Sequence, residues 1–156
     1  MIKILFICSG NTCRSPMASA LLLNRIQEKS KILEPGEIQV WSAGLFADEG
    51  LPASPKAIEA MREQGIDISR HRSSLVRESL IRDADLILCM TNSQRRYIMD
   101  RFAGKAVKIY TLSEFTGDEN EDVLDPYGQD LDTYRKSLAQ IKSLVDRLLE
   151  KIIESI

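Results

Sequence analysis

Short apolar runs alternate along this chain with segments whose apolar residues recur every three or four positions. That alternation predicts an α/β fold: a three-layer domain with a four-stranded parallel sheet flanked by helices on both faces. Two further observations agree. The first run, Ile2 to Ile7, is apolar on nearly consecutive residues, as expected of a strand covered on both faces. The chain of 156 residues suits one compact domain, residues 1–156, around a single core.

Ile2 to Ile7 reads as the first strand and breaks at Ser9-Gly10. Ser15-Pro16 then supplies an N-cap and a first-turn proline, whose missing N–H costs nothing there, and Met17, Ala18, Leu21, Leu22 and Ile26 continue at helical spacing. Ile38 to Ser42 predicts a second strand with Ala43-Gly44 turning out of it. Ser54-Pro55 repeats the cap and proline before a helix to Gln64, and Gly65 is a natural stop. Asp85 to Met90 predicts the third strand, Thr91-Asn92-Ser93 the cap of a helix to about Phe102, and Val107 to Tyr110 the fourth strand. Thr116 to Gln129 is a polar surface loop, its acidic stretch Asp118 to Asp122 read as solvated. Leu131, Tyr134, Leu138, Ile141, Val145, Leu148 and Ile152 then form the stripe of one long amphipathic helix, whose default partner is the sheet rather than a second copy of the chain. A monomer is the corresponding expectation.

Composition narrows the function classes. Twenty-one Lys and Arg against 23 Asp and Glu leave a net charge of −2, so no whole-chain basic field points to nucleic acid or an anionic membrane surface. The N-terminal apolar run is too short for a secretory signal or a membrane span, and a cytoplasmic protein is expected. Three cysteines, Cys8, Cys13 and Cys89, are too few and odd in number for a secreted disulfide framework. His71 is the single histidine and has no cysteine pair at ligand spacing, which argues against zinc.

In open parallel sheets ligands bind beyond the carboxyl ends of the strands, and Cys8 to Arg14 occupies that position after the first strand. Within it, a cysteine is followed six positions later by Arg14. A loop closing onto a helix N-terminus aims backbone N–H groups and the positive dipole end at one point, which suits a phosphate dianion. The same field favours Cys8 as the nucleophilic thiolate. Arg14 adds a planar fork for two phosphoryl oxygens, a geometry lysine lacks. Nucleophile and clamp converge on one tetrahedral anion, which is the requirement of phosphoryl transfer, and neither a metal nor an organic cofactor is needed. Alone, a cysteine and arginine at this spacing are more often a core thiol and a surface charge. The strand before, the glycine within, the Ser-Pro cap behind and an acid in a distant loop reverse that preference.

These features, with Pro16-Met17-Ala18, the Ser42-Ala43-Gly44 turn and Asp125-Pro126-Tyr127-Gly128, resemble the low-molecular-weight protein tyrosine phosphatase family over nearly the whole chain. The resemblance implies a two-step reaction. Cys8 attacks phosphorus to form a phosphocysteine, and water hydrolyses it, with Asp125 first as acid to the leaving group and then as base to the water. It further implies that Ser9, Gly10, Asn11, Thr12, Cys13 and Ser15 form the substrate-binding loop, with Ser15 both capping the helix and hydrogen-bonding the Cys8 sulfur. Asn11, Ser42 and His71 match positions that hold the loop in shape, and Tyr127 matches an aromatic wall of the entrance. The implied partners are a phosphorylated protein or peptide and, as product, inorganic phosphate.

Thr12 stands where phosphotyrosine-selective relatives carry a bulkier aliphatic residue, and Gly10-Asn11-Thr12-Cys13-Arg14 resembles the protein arginine phosphatase branch. A hydroxyl in the pocket orients a guanidinium, whereas an aliphatic surface favours a phenyl ring and leaves guanidinium N–H groups unpaired. Phosphoarginine is therefore the favoured substrate and phosphotyrosine the alternative. Cys13, five residues after the nucleophile, is the expected redox partner of Cys8 in a reversible disulfide. Three rivals fare worse. Arsenate reductases of similar fold relay a disulfide through additional cysteines, and Cys89, in an apolar run, reads as an inert core thiol. A non-catalytic phosphate-binding module predicts loss of Cys8 or Asp125, and both are present. A phosphocysteine carrier domain of sugar transport has no use for the Asp125-Pro126 acid.

Overall fold

The computed structural model describes residues 1–102, 104, 108–117 and 121–156. Its strands are β1 (Ile2–Cys8), β2 (Ile38–Gly44), β3 (Leu86–Cys89) and β4 (Ile109–Thr111). All pairings are parallel, in the order β2-β1-β3-β4. Register brings the carboxyl ends into line: Cys8 lies beside Gly44, Ile7 beside Cys89, and Cys89 beside Thr111. The helices are α1 (Arg14–Glu28), α2 (Pro55–Glu63), α3 (Glu78–Asp83), α4 (Asn92–Arg101), α5 (Leu112–Phe115) and α6 (Leu131–Ser155).

Side chains of β1 alternate between two cores because the strand has a period of two. Ile4, Phe6 and Cys8 face a cluster built with Met17, Leu21 and Leu22 of α1, Ala57 and Met61 of α2, and Leu138, Ile141 and Val145 of α6. Leu5 and Ile7 face the other side, against Ile81 of α3 and Ile98 of α4. Cys8 thus ends β1 on the α1 side. The predicted stripe of α6 is buried from Tyr134 to Ile152 within the chain, and Asp130 caps the helix by accepting from the Thr133 N–H at 2.9 Å.

Several boundaries differ from the expectation. Ala43 and Gly44 continue β2 rather than turn out of it, because both pair in register with Ile7 and Cys8. The helix after β1 begins at Arg14 with Cys13 as N-cap and no side-chain cap, so Ser15 does not cap it. Ser15 is already inside the first turn, and its hydroxyl is committed elsewhere. The short α3 and α5 escape a periodicity reading because six and four residues hold too few turns to show one. Ser54 and Thr91 cap as expected, the latter in a capping box with Gln94. Gly65 ends α2 with φ +76°, a conformation that favours glycine. Val107 and Asp118 to Asn120 lie outside the described residues.

Candidate active site

Four carbonyls at the end of β1 and in the loop after it are drawn outward by hydrogen bonds. Cys8 O accepts from Leu45 N at 3.0 Å, Ser9 O from Phe46 N at 2.9 Å, and Thr12 O from Ser54 N at 2.9 Å. Asn11 O receives His71 Nε2 at 2.7 Å. Every peptide here is trans, so an outward carbonyl turns the next N–H inward. The N–H groups of Ser9, Gly10, Thr12 and Cys13 therefore face the concave side, at the N-terminus of α1. Loop closure depends on two backbone features. Asn11 adopts φ +56°, which asparagine tolerates better than most residues. Gly44 leaves room for the loop: a Cβ there would meet Ser9 O at 2.7 Å and Asn11 N at 2.9 Å.

The hydrogen bonds to the Cys8 sulfur follow from one oriented amide. The Ser74 N–H donates to Asn11 Oδ1 at 2.9 Å, which leaves Asn11 Nδ2 to donate to Ser15 Oγ at 2.8 Å and Ser42 Oγ at 3.0 Å. With an acceptor position of Ser15 occupied, its O–H is free to donate to Cys8 Sγ, 2.9 Å away. The Asn11 N–H donates to the same sulfur at 3.2 Å. Two donors on one buried sulfur stabilise negative charge there. Asn11, Ser15, Ser42 and His71 are thus brought together as one support. His71 is half-buried. Burial lowers its pKa below 6.5, outweighing the opposing bond to the Asn11 carbonyl. The imidazole is neutral with its proton on Nε2, since a carbonyl only accepts.

Arg14 is buried, and its Nη1 donates to Val123 O at 3.1 Å while Nη2 lies 3.5 Å from Asp125 Oδ2. Asp125 is exposed and its Oδ1 accepts from the Tyr127 N–H at 3.1 Å. Cys8, Ser9, Gly10, Thr12, Cys13, Arg14, Asp125 and Tyr127 all line one cavity of about 520 Å³. Its outer wall is Phe46, Leu51, Pro52 and Asp48, residues that the sequence reading did not single out. Their signal was position: they directly follow β2, whose end lies beside that of β1. Thr12 is half-exposed, and among the described residues its hydroxyl meets only the Cys13 sulfur, at 3.9 Å. Cys13 is buried with its sulfur 3.3 Å from Tyr134 Oη and 3.4 Å from Ser54 Oγ. Tyr134, known from the sequence only as part of a helix stripe, thereby ties α6 to the loop. Cys89 is fully buried in β3, and burial pushes its thiol up to about 12.

The model of the low molecular weight phosphotyrosine protein phosphatases matches residues 3–155. The chain belongs to that family. Among relatives of this phosphatase, the protein-arginine-phosphatase of Geobacillus stearothermophilus is 41% identical over 96% of this chain and 95% of its own length. A probable low molecular weight protein-tyrosine-phosphatase of Ralstonia nicotianae is also 41% identical, over 97% of each chain. The solved structure of an arginine phosphatase mutant with a phosphorylated active-site serine superposes with a TM-score of 0.89 at 36% identity, covering 97% of this chain and 95% of that one. Cysteine-dependent phosphatase chemistry, with a phosphorylated protein as substrate and phosphate as product, accordingly belongs to this fold. Among the described residues, no helix of the phosphatase is long and apolar enough to cross a membrane.

Proposed function

We propose that this phosphatase removes phosphoryl groups from arginine side chains of proteins, with Cys8 as nucleophile, Arg14 as clamp and Asp125 as acid and base. The Cys8 sulfur attacks phosphorus in line with the departing nitrogen, and Asp125 gives that nitrogen its proton as the P–N bond breaks. The phosphoryl group then rests on sulfur, its oxygens held by the Arg14 fork and the N–H groups of Ser9, Gly10, Thr12 and Cys13. Asp125, now a carboxylate, takes a proton from the water that attacks the phosphocysteine, and phosphate leaves as the S–P bond breaks. The Asn11, Ser15, Ser42 and His71 network holds the sulfur and loop in place throughout.

The observation that carries the arginine reading is Thr12, which lines the cavity with a hydroxyl that meets no backbone group among the described residues. It is available to a guanidinium, and Asp125 and Asp48 add carboxylates on the same cavity. The similarity to arginine phosphatases supports the same choice. Phosphotyrosine is the second reading, favoured by the apolar wall of Phe46, Leu51, Pro52 and Tyr127. Matched phosphoarginine and phosphotyrosine peptides test the two, with Cys8→Ser as the blank. The expected kcat/KM ratio favours phosphoarginine, and Thr12→Ile reverses it by about 10-fold or more. A phosphotyrosine preference already present in the parent protein overturns the arginine reading.

A single domain over residues 1–156, acting as a cytoplasmic monomer, completes the proposal. Both sheet faces and the α6 stripe are covered from within the chain, which supports one domain and a monomer. Cys13 serves as the redox partner of Cys8. A peroxide takes two electrons and two protons from the two thiols, leaving a disulfide and releasing two molecules of water when hydrogen peroxide is the oxidant. Intact mass falls by two hydrogens after mild peroxide and stays unchanged in Cys13→Ala.

A further inference from the structure

Two buried side-chain amides each donate to a serine hydroxyl, and only one of them belongs to the support of the Cys8 sulfur. Gln94, in the first turn of α4, repeats the Asn11 arrangement from the other side of the sheet. It is 4% exposed, and its Oε1 accepts from the N–H groups of Met90 at 3.0 Å and Thr91 at 3.1 Å. Two donors on the oxygen settle which way the amide faces. Nε2 is therefore the end that donates to Ser9 Oγ, 3.2 Å away. The bridge spans the ends of β1 and β3, the crevice where the chain's direction of travel across the sheet reverses and where open parallel sheets bind ligands.

The capping box explains the oxygen but not the nitrogen. A glutamate at Gln94 would serve the box equally well, whereas the amide N–H has no part in it. A hydroxyl has one proton and two acceptor positions. With one acceptor position of Ser9 occupied by Gln94, its proton is free for another partner, and Ser9 lines the cavity. The same short segment also anchors the acid loop. Met90 O accepts from Val123 N at 2.9 Å, and the Asn92 N–H donates to Asp122 Oδ1 at 2.8 Å. Val123 O in turn receives Arg14 Nη1.

We propose that Gln94 is a positioning residue that turns the Ser9 hydroxyl proton toward the phosphoryl group and so acts on turnover through Ser9. The inference rests on the phosphatase reading of this cavity. Gln94→Glu keeps both backbone bonds but takes the Ser9 proton for its own carboxylate. Gln94→Met removes the donor without adding charge. Each is measured alone and in a Ser9→Ala background, by kcat/KM on p-nitrophenyl phosphate, by the inhibition constant of inorganic phosphate and by melting temperature.

Each single substitution is expected to lower kcat/KM by about 10-fold and to weaken phosphate inhibition by a similar factor, with Gln94→Glu melting close to the parent. Gln94→Met should add less than about twofold once Ser9 is alanine, the mark of two residues acting as one. Losses that multiply with Ser9→Ala overturn the proposal, as do single substitutions within twofold of the parent. Absence of any Cys8-dependent turnover in the parent protein is a different result: it defeats the phosphatase reading. Phosphate affinity by titration calorimetry still tests Gln94 in that event.

Discussion

The two halves of the site are built in opposite ways. Around Cys8 the loop is braced by hydrogen bonds: four of its carbonyls, both ends of the Asn11 amide, and the Ser15 and Ser42 hydroxyls all have partners. Asp125 and Tyr127 sit on a surface turn instead, with the Tyr127 side chain 72% exposed and the Asp125 carboxylate held by the Tyr127 N–H and the edge of Arg14. The difference matches the two tasks. A receptor for a transferring phosphoryl group stabilises it best when its dipoles need not move during reaction. An acid that must reach a leaving group still attached to a folded protein has to stand at the solvent side.

The contrast breaks most completely at the sulfur. Cys8→Ser should lower turnover by at least about 10⁴-fold while inorganic phosphate still binds, since the N–H groups and Arg14 remain. Single-turnover kinetics and phosphate titration separate those two effects. Asp125→Asn should cost about 10² to 10⁴-fold in kcat, more for poor leaving groups than for p-nitrophenol. A series of aryl phosphates of graded leaving-group pKa measures this, and equal losses across it would mean that Asp125 delivers no proton.

On the rigid side, Gly44→Ala drives a Cβ into Ser9 O and Asn11 N, both backbone atoms with little room to yield. It should destabilise the fold by about 1–3 kcal/mol and weaken phosphate binding, read by thermal denaturation and titration. The smallest effect is a pH dependence. His71 has its pKa lowered from 6.5, first by burial, so its folded form prefers the neutral ring. Its stabilising contribution is complete above the unfolded value of 6.5 and is lost as pH falls through the lower folded one. Between pH 7 and 5 the parent protein should therefore lose more melting temperature than His71→Gln, whose amide donates to Asn11 without titrating.

Legibility in the sequence followed the range of the interaction. That Cys8, Arg14 and Asp125 share one cavity was readable because the loop is contiguous and Asp125 stands in a short turn motif. Ser15 as a helix cap was misread because a Ser-Pro pair looks the same whether its hydroxyl turns to the helix or to a sulfur seven residues earlier. Phe46, Asp48, Leu51 and Gln94 gave no chemical signal, since apolar residues, an isolated acid and a capping glutamine are each common in unrelated roles.

The amino-acid sequence by itself determined the order of the four strands and the four longer helices, the buried stripes and the residue types of the loop after β1, because hydrophobic period and loop chemistry act over a few neighbouring residues. Tertiary structure alone decided which hydroxyls donate and to what. A serine proton goes where its acceptor positions are not already filled. Here the groups that fill them, the amides of Asn11 and Gln94, are held by backbone N–H groups of Ser74, Met90 and Thr91 that only the folded sheet brings within reach.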